Sequence, residues 1–162
     1  MTIRRSSAET QTGPRVAAYQ PDIPQNVGAL MRLCAGFDLD LDIIEPCGFP
    51  WDARRIRQSA MDYFDAVRLT RHRDWDTFLE SCGEGRIVLM TTQAALPYTD
   101  FIFRAGDVLL LGRESAGVPD HVHARADARV FIPMSGAIRS FNVAMAAGIV
   151  AAEALRQINA TG

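Results

Sequence analysis

An α/β fold, with a mostly parallel sheet and helices on both of its faces, is what the apolar pattern of the chain predicts. Short apolar runs of strand length alternate with helix-length segments in which apolar residues recur every three or four positions. Runs such as Asp107–Leu111 (DVLLL) and Arg129–Ile132 (RVFI) are strands of the fully buried kind. Such strands are typical of a parallel sheet that is covered on both sides.

In the first half of the chain, each predicted strand is followed by a predicted helix. The strands are placed at Arg15–Gln20, Leu41–Glu45 and Ala66–Thr70. The helices run from Pro24 to Phe37, from Asp52 to about Phe64, and from Asp74 to about Cys82. Asp52 and Asp74 are suitable N-cap residues, because a carboxylate accepts hydrogen bonds from the free N–H groups of a first helical turn. Gly36 and Gly83 lie where two of these helices are expected to end.

The second half continues the alternation. Strands are predicted at Arg86–Thr92, Asp107–Leu111 and Arg129–Ile132, and helical segments at Tyr98–Phe103, near Pro119–Ala126 and at Val143–Gln157. Ligands of open parallel sheets bind beyond the carboxyl ends of the strands. The connecting segments to examine for a ligand site are therefore Gln20–Asn26, Thr91–Gln93, Gly112–Gly117 and Pro133–Asn142.

The composition is that of a globular protein with one domain. The chain has 162 residues, of which 48% are hydrophobic and 22% charged, and these values exclude wholesale disorder. Residues 1–14 are polar and are expected to form a flexible tail, with residues 15–162 as the single folded domain. Neither a signal peptide nor a membrane span is expected, so we predict a cytoplasmic protein with no membrane partner. Cys34, Cys47 and Cys82 are odd in number and widely spaced, which argues against disulfides or a zinc site and favours small apolar roles in or near the core.

All 17 basic residues are arginines, although the formal net charge is −2. Arginine is suited to bidentate contacts with phosphate. Two groups of arginines are clustered in the sequence: Arg54, Arg55 and Arg57, followed by Arg71 and Arg73. They form either a local basic patch of the kind that binds nucleic acid or a solvated helix face, and the pattern alone does not separate these interpretations.

Gly112–Gly117 (GRESAG) follows a predicted strand but resembles a phosphate loop only superficially. A Walker loop ends in Gly-Lys-Ser/Thr, and this chain has no lysine. Ser115 is one position away from that of a nucleophile elbow. The glycines allow close approach of the backbone to a flat ligand, although alone they would be ordinary turn residues. His121 and His123 lack further ligands at metal spacing, so they are interpreted as surface residues and no metal is expected.

Polar side chains interrupt apolar segments at two places. Asn26 lies near a helix start, where its side chain can bind backbone or a ligand. Arg32 lies in the apolar stretch LMRLCAGF, so it either extends to solvent or pairs with an anion. Arg139, Ser140 and Asn142 precede the nearly uncharged final helix. Such a polar cluster is costly unless its groups are capped, paired or bound, which predicts a ligand site there.

Three groups of residues occur in order along the chain: Asn26 with Arg32, Leu111–Pro119 (LGRESAGVP), and Ile132–Met134 (IPM) with Arg139–Asn142 (RSFN). Together they closely resemble the three motifs of the SpoU-type branch of the SPOUT RNA ribose methyltransferases. The resemblance extends from about Val16 to Gln157. Other segments resemble the small tRNA wobble-nucleotide (cytidine/uridine) 2′-O-methyltransferases: Ile43–Pro46, Gly48–Phe49, Trp51–Asp52, Asp62–Tyr63 and Thr70–His72.

This resemblance implies a fold, a cofactor and an assembly. The C-terminal segment would form a deep trefoil knot, as in the SPOUT fold. S-adenosylmethionine would be bound in the knot, at the positions matching those of the family: Met90, Gly112, Ile132 and Ser140. The family works as homodimers in which the other subunit completes each active site. The apolar final helix (Val143–Ile158) is the interface element that we expect.

The reaction that the resemblance implies is in-line transfer of a methyl group from a sulfonium to a ribose 2′-hydroxyl. The matching positions make Arg32 the key catalytic residue, assisted by Asn26, Glu114, Ser140 and Asn142. Because a neutral guanidine is costly, we expect Arg32 to hold the adjacent phosphate and stabilise alkoxide charge rather than accept the proton. The substrate would be the anticodon stem-loop of tRNA. Phosphate contacts are expected from Arg54, Arg55, Arg57, Arg71 and Arg73.

Several positions depart from the wobble-enzyme pattern. Arg113 and Ala116 stand where those enzymes often have proline and arginine, and Ala144-Met145 and Ala152-Glu153 depart in the final helix. These differences concern the target nucleotide and the dimer packing more than the reaction. Two alternatives therefore stay open: the same reaction at another tRNA or ribosomal RNA ribose, and a non-catalytic knotted RNA-binding dimer.

Overall fold

The computed structural model describes residues 13–161 and contains a seven-stranded sheet with helices on both faces. The strands are β1 (Arg15–Tyr19), β2 (Asp40–Ile44), β3 (Arg68–His72), β4 (Ile87–Met90), β5 (Leu96–Pro97), β6 (Val108–Leu111) and β7 (Ala128–Phe131). The helices are α1 (Pro24–Phe37), α2 (Ala53–Ala60), α3 (Trp75–Cys82), α4 (Asp120–Arg125) and α5 (Val143–Thr161). Most of the predicted 1–14 tail lies outside the described residues.

Every strand pairing in the sheet is parallel, as predicted, and the strand order is β3-β2-β1-β6-β4-β7-β5. β6 is inserted between β1 and β4, with Val16 opposite Leu109 and Leu89 opposite Leu110. The edge strand β5 was not predicted. It has only two residues and one of them is a proline, which removes a backbone donor and confines such a strand to an edge.

Residues along β1 alternate between two hydrophobic cores. Val16 and Ala18 face the core that contains α1, Ile56 of α2 and the inner side of α5. Ala17 and Tyr19 face the opposite core, in which Trp75 of α3 packs. This two-sided burial explains why the strands are continuously apolar, and it confirms the prediction of helices on both faces.

The predicted starts of the helices are confirmed, but several other element boundaries differ from the prediction. Asp52 accepts hydrogen bonds from the first turn of α2, and Asp74 accepts one from Thr77 of α3. α2 ends at Ala60 because Met61 adopts a positive φ of 55°, and a short 3-10 helix replaces the predicted last turn. β3 begins two residues later than predicted.

Neither Asp120 nor Asp127 caps α4 with its side chain. The N-cap of α4 is Pro119, with no side-chain capping bond. Asp127 instead accepts a hydrogen bond from the Ile87 backbone N–H at 2.7 Å, so its carboxylate ties the start of β7 to the start of β4. A carboxylate is an effective acceptor for any free backbone N–H, and the chain neighbours alone do not determine which one it binds.

α5 closes one face of the sheet, where it packs against α1 and β6. Its buried side is a row of small residues: Ala147, Val150, Ala151 and Ala154. The helix is longer than predicted and extends to Thr161. Within residues 13–161, no helix has both the length and the apolar character needed to cross a membrane.

Candidate active site

A cavity of about 480 Å³ opens at the carboxyl ends of β4, β6 and β7. This volume lies within the range of small-molecule sites. These three strands end at Met90, Leu111 and Phe131, and all three residues line the cavity. The four connecting segments predicted to carry a ligand site each contribute to its wall, and α5 contributes its first turn. The topology therefore brings together segments that are up to about a hundred residues apart in sequence.

The Gly112–Gly117 loop is closed on itself at one side of this cavity. The backbone N–H groups of Arg113 and Gly117 each donate to the carbonyl of the other, both at 2.9 Å. Gly117 has a φ of +62°, in the left-handed region that favours glycine. A Cβ on Gly112 would lie 2.8 Å from the Cα of Gly117, so both glycines are required for the loop to close.

A chain of hydrogen bonds joins the three motif regions at the mouth of the cavity. The Asn26 amide donates to Glu114 Oε1 at 3.1 Å, and the Asn142 amide donates to Asn26 Oδ1 at 2.9 Å. Asn142 Oδ1 in turn accepts from the backbone N–H groups of Ala144 and Met145, so Asn142 is the N-cap of α5. Asn26 is buried, which makes these partners necessary. Of the polar cluster noted in the sequence, Asn142 is thus paired internally.

Asp22 extends this network, and sequence reasoning assigned it no role. Its backbone N–H donates to Glu114 Oε2 at 3.0 Å, and its carboxylate accepts a short hydrogen bond from the Ser115 hydroxyl. Burial, followed by a hydrogen bond with the Asp22 carboxyl, raises the pKa of Glu114. That same hydrogen bond is the main cause of a lowered pKa at Asp22. The only available signal in the sequence was the position of Asp22 between two prolines, next to Asn26.

Each residue predicted to contact a cofactor lines the cavity: Met90, Gly112, Ile132 and Ser140. The floor is formed by apolar strand ends, and the polar groups are concentrated at the mouth. Among the predicted catalytic residues, Asn26, Glu114, Ser140 and Asn142 also line it.

Arg32 is not among the residues that line this cavity in the described part of the chain. Six positions along a helix correspond to a rotation of about 240°, so Arg32 and Asn26 project from different sides of α1. The Arg32 side chain is exposed, and its guanidinium lies 5.3 Å from the centre of the Tyr63 ring. Within a single subunit, Arg32 therefore extends to solvent, which is the first of the two interpretations that the sequence allowed.

The five arginines predicted to contact RNA are exposed on α2 and at or just after the end of β3. Arg57 forms two hydrogen bonds with Asp65 and stacks over Phe64 at 4.2 Å. Arg71 pairs with Glu45 and stacks over Trp51, also at 4.2 Å. These stacks hold the planar guanidinium groups at defined positions on the surface.

The remaining predicted arginines make weaker intramolecular contacts. Arg55 approaches Asp52 at 3.8 Å, and Arg73 approaches Asp74 at 3.4 Å. The backbone N–H of Arg54 donates to the capping carboxylate of Asp52, and the Arg54 side chain forms no ion pair within residues 13–161. Exposed pairs of this kind contribute little stability, so phosphate can replace the carboxylate partner at small cost.

The histidines and cysteines take part in ordinary packing. His121 is exposed, and His123 accepts a hydrogen bond from Arg129. In residues 13–161 no cluster of three histidine, cysteine or acidic side chains is suited to hold a metal. Cys34 and Cys82 are buried, and Cys47 is half-buried, as predicted.

The cavity lies within a segment that matches a known protein family. The model of the SpoU rRNA Methylase family matches residues 13–152, which include all the residues of the hydrogen-bonded chain. The chain belongs to this family. Among curated proteins, a tRNA (cytidine(34)-2′-O)-methyltransferase of Beijerinckia indica is 54% identical over 147 residues, covering 90% of this chain and 92% of that protein.

Solved structures agree with this family membership. A structure described as giving insights into the 2-OH methylation of C/U34 on tRNA aligns with a TM-score of 0.86 at 36% identity, covering 91% of this SpoU-family chain and 97% of that one. The SpoU methyltransferase AviRb from Streptomyces viridochromogenes, in complex with AdoMet, aligns with a TM-score of 0.83 at 22% identity, over 96% of this chain and 64% of that one. The second likeness shows the shared fold.

Proposed function

We propose that this chain transfers a methyl group from S-adenosylmethionine to the ribose 2′-hydroxyl of the wobble nucleotide of tRNA. The observation that carries the proposal is the hydrogen-bonded chain Glu114–Asn26–Asn142 at the mouth of the cavity. It joins one residue from each of the three motifs beside a cavity of ligand size. The high identity to a tRNA (cytidine(34)-2′-O)-methyltransferase supports the wobble position as the target.

The cavity fits the proposed cofactor chemically. Its floor, which includes Met90, Leu111 and Ile132, is apolar and can enclose an adenine ring. The closed glycine loop presents backbone groups at its side. The mouth carries Glu114, so a negative partner is available for the positive end of the ligand. When bound, S-adenosylmethionine supplies a methyl group that is activated by an adjacent sulfonium.

The side chains at the mouth would orient the acceptor. Ser140 and Asn142 are exposed next to the cavity and can hydrogen-bond a ribose, while Asn26 holds Asn142 in place. Because in-line transfer depends on the angle and distance of approach, this positioning accounts for much of the rate enhancement. Arg32, with a permanently charged guanidinium, would hold the phosphate beside the target ribose and stabilise the negative charge that develops on the attacking 2′-oxygen as it loses its proton.

The position of Arg32 favours an active site that is shared between two subunits. Arg32 is exposed and is not among the described residues that line the cavity of its own subunit. Ile138 and Met145, close in sequence to the cavity-lining residues Ser140 and Asn142, are exposed by 49% and 58%, and a partner subunit would bury such apolar side chains. We therefore propose a homodimer in which α5 contributes to the interface and Arg32 acts at the partner's cavity.

The C-terminal knot is a further part of the proposal. β6 is inserted between β1 and β4, β7 lies on the other side of β4, and α5 then returns to pack on α1 and β6. This order of crossings is compatible with a chain end that passes through an earlier loop. The knot would hold the cofactor-binding segments together without a separate lid.

The RNA surface would be formed by the exposed arginines on α2 and near the end of β3. We expect them to contact phosphates of the anticodon stem-loop. Because tRNA is used in the cytoplasm, we propose that the reaction takes place there. The matched test compares Arg54→Gln/Arg55→Gln with the control Arg104→Gln/Arg125→Gln. The control arginines precede the amino ends of β6 and β7, whereas α2 follows the carboxyl end of β2. The first variant should bind tRNA more weakly and reduce the salt slope by roughly 1.4 to 1.8, as loss of two phosphate contacts predicts. Equal slopes in both variants would exclude this surface.

Methylation of bulk tRNA with labelled cofactor, followed by mapping of the modified nucleotide, tests the activity directly. Label at the wobble ribose supports the proposal. Label at another tRNA or ribosomal RNA ribose would support the second reaction considered above. Absence of cofactor binding by calorimetry would instead favour a non-catalytic RNA-binding protein.

Mixed dimers test whether Arg32 acts across the interface. Arg32→Ala and Asn142→Ala subunits are each expected to be inactive alone. If Arg32 serves the partner's site, half of the dimers in an equal mixture contain one intact site, and roughly a quarter of wild-type activity returns. If Arg32 serves its own site, no activity returns. Arg32→Lys should remain weakly active at best, because an ammonium lacks the planar fork of the guanidinium.

A further inference from the structure

Asp22 lies behind the proposed active site, and its contacts give it a role. We infer that Asp22 is a positioning residue: its carboxylate and backbone N–H orient the Glu114 carboxyl, and through it Asn26 and Asn142. This inference rests on the proposed function, because the residues it positions are those assigned to the methyl-transfer site. We assign Asp22 no direct contact with the substrate.

Asp22 contacts two consecutive residues of the Gly112–Gly117 loop, Glu114 and Ser115. Its N–H donates to Glu114 Oε2 at 3.0 Å, and its Oδ2 accepts from the Ser115 hydroxyl. The other Glu114 oxygen, Oε1, accepts from Asn26 at 3.1 Å. Glu114 is thus held from two sides, by Asp22 on one oxygen and Asn26 on the other.

The turn that carries Asp22 is itself rigid. The carbonyl of Pro21 accepts a hydrogen bond from Gly48 N–H at 3.0 Å. A Cβ on Gly48 would lie only 2.6 Å from the Cβ of Asp22, so the Asp22 side chain is packed directly against the Gly48 backbone. Asp22 therefore cannot move away from Glu114 without disturbing the segment that follows β2.

A carboxylate at this position has a specific consequence for Glu114. The Asp22 backbone N–H binds Glu114 and the Asp22 carboxylate binds the adjacent Ser115, so the two carboxyl groups are neighbours and simultaneous ionisation of both is disfavoured. Burial, followed by Asp22, raises the pKa of Glu114, and the interaction with Glu114 lowers the pKa of Asp22. Glu114 therefore takes up a proton at higher pH than Asp22, which stays ionised beside it.

Asp22 Oδ1 is buried and has no hydrogen-bond partner among residues 13–161. It is the one oxygen of the Asp22–Glu114 pair with no protein donor in that part of the chain. A buried acceptor that receives no hydrogen bond destabilises the folded state. Its retention beside the active-site loop is consistent with a role that requires a carboxylate rather than an amide.

Asp22→Asn tests the inference because it conserves volume and the backbone N–H but removes the negative charge beside Glu114. It also replaces a carboxylate acceptor for the Ser115 hydroxyl with a weaker, neutral amide oxygen. We expect kcat to fall by about tenfold, with the KM for tRNA and the Kd for S-adenosylmethionine changed by less than about twofold. In the double variant Asp22→Asn/Glu114→Gln, kcat should fall no further than in Glu114→Gln alone, because the two residues act as a unit.

A carboxyl ¹³C titration of Glu114 gives a readout that does not depend on activity. Cys47 interacts electrostatically with Glu114 and also with Glu45 and Arg71, and Arg113 precedes Glu114 in the chain. They are unchanged by the substitution. The titration midpoint should lie above the ordinary 4.5 in the wild type and fall in Asp22→Asn, because removal of the neighbouring negative charge makes ionisation easier. An identical midpoint in both proteins would overturn the inference.

Asp74→Asn is the matched control, since Asp74 is an N-cap on α3 and asparagine caps equally well. It should leave kcat, KM and the Glu114 midpoint unchanged. If Asp22→Asn shifts the midpoint while kcat stays at the wild-type value, the positioning role is wrong. If the wild type methylates no RNA, the proposed function fails, and the titration still decides whether Asp22 controls Glu114.

Discussion

Replacing Gly112 with alanine should damage cofactor binding more than it damages the fold. The new Cβ would lie 2.8 Å from the Cα of Gly117 and 2.9 Å from its carbonyl carbon. Non-bonded carbons prefer about 3.5 to 4.0 Å, so the two strands of the loop must separate by about 1 Å. Both atoms belong to the backbone, so no side-chain rotation relieves the clash.

The cost of this separation follows from what holds the loop closed. Two backbone hydrogen bonds of 2.9 Å join Arg113 and Gly117. Loss of both costs about 2 kcal/mol, and retaining them under strain costs about 1 to 3 kcal/mol. If cofactor binding requires the closed loop, about 2 kcal/mol corresponds to roughly a 30-fold higher Kd for S-adenosylmethionine.

Isothermal titration calorimetry with S-adenosylmethionine measures this effect, and two other glycines provide controls. At Gly36 in α1, an added Cβ meets no atom within 4 Å, so Gly36→Ala should leave the Kd unchanged and raise stability by about 0.5 to 1 kcal/mol. At Gly28, the Cβ would lie 2.3 Å from Ser59 Cβ, between α1 and α2. Gly28→Ala should lower the melting temperature without opening the loop. A Kd within threefold of wild type for Gly112→Ala would show that closure of the loop does not govern binding.

Three further predictions concern stability and ionisation. Asp42→Ala should lower the free energy of unfolding in urea by about 3 to 5 kcal/mol, because buried Asp42 binds an arginine and a histidine of neighbouring strands, both at 2.7 Å, and both would lose a charged partner. Gln157→Leu should cost about 1 to 3 kcal/mol in the same assay, since this side chain binds the backbone of the 101–103 loop through both of its polar atoms. Hydrogen bonds from Arg156 lower the pKa of Glu153 to about 2, so the stabilisation from this pair is present above the ordinary 4.5 and is lost as pH falls toward 2. A carboxyl ¹³C titration should therefore give a midpoint near 2 in wild type and nearer 4.5 in Arg156→Gln.

The sequence predicted those elements that depend on neighbouring residues. α1 has the predicted bounds of Pro24 and Phe37, and Asp52 and Asp74 cap the helices they precede. These features depend on local hydrogen bonds and on apolar spacing within a few turns. β5 was missed because its two residues have no pattern of their own and are defined only by pairing with β7.

Pairing between distant side chains was much less predictable. The sequence suggested a basic patch, but Arg57 and Arg71 are each partnered with a carboxylate and an aromatic ring. Arg71 and Glu45 are 26 residues apart, and β2 and β3 bring them together. Asp22 and Ser115 are 93 residues apart, so no spacing rule could have indicated their contact.

The sequence by itself determined the α/β class, the order of the three motifs and the loops on which a ligand site must lie. These follow from short-range apolar patterning and from the rule that parallel strands direct their carboxyl ends to one edge of the sheet. Only the tertiary structure decided that Glu114, Asn26 and Asn142 form one hydrogen-bonded chain, that Asp22 binds Glu114, and that Arg32 is exposed beside Tyr63. The physical reason is that these relations depend on the insertion of β6 between β1 and β4 and on the rotation of α1 about its axis. Both are set by long-range packing.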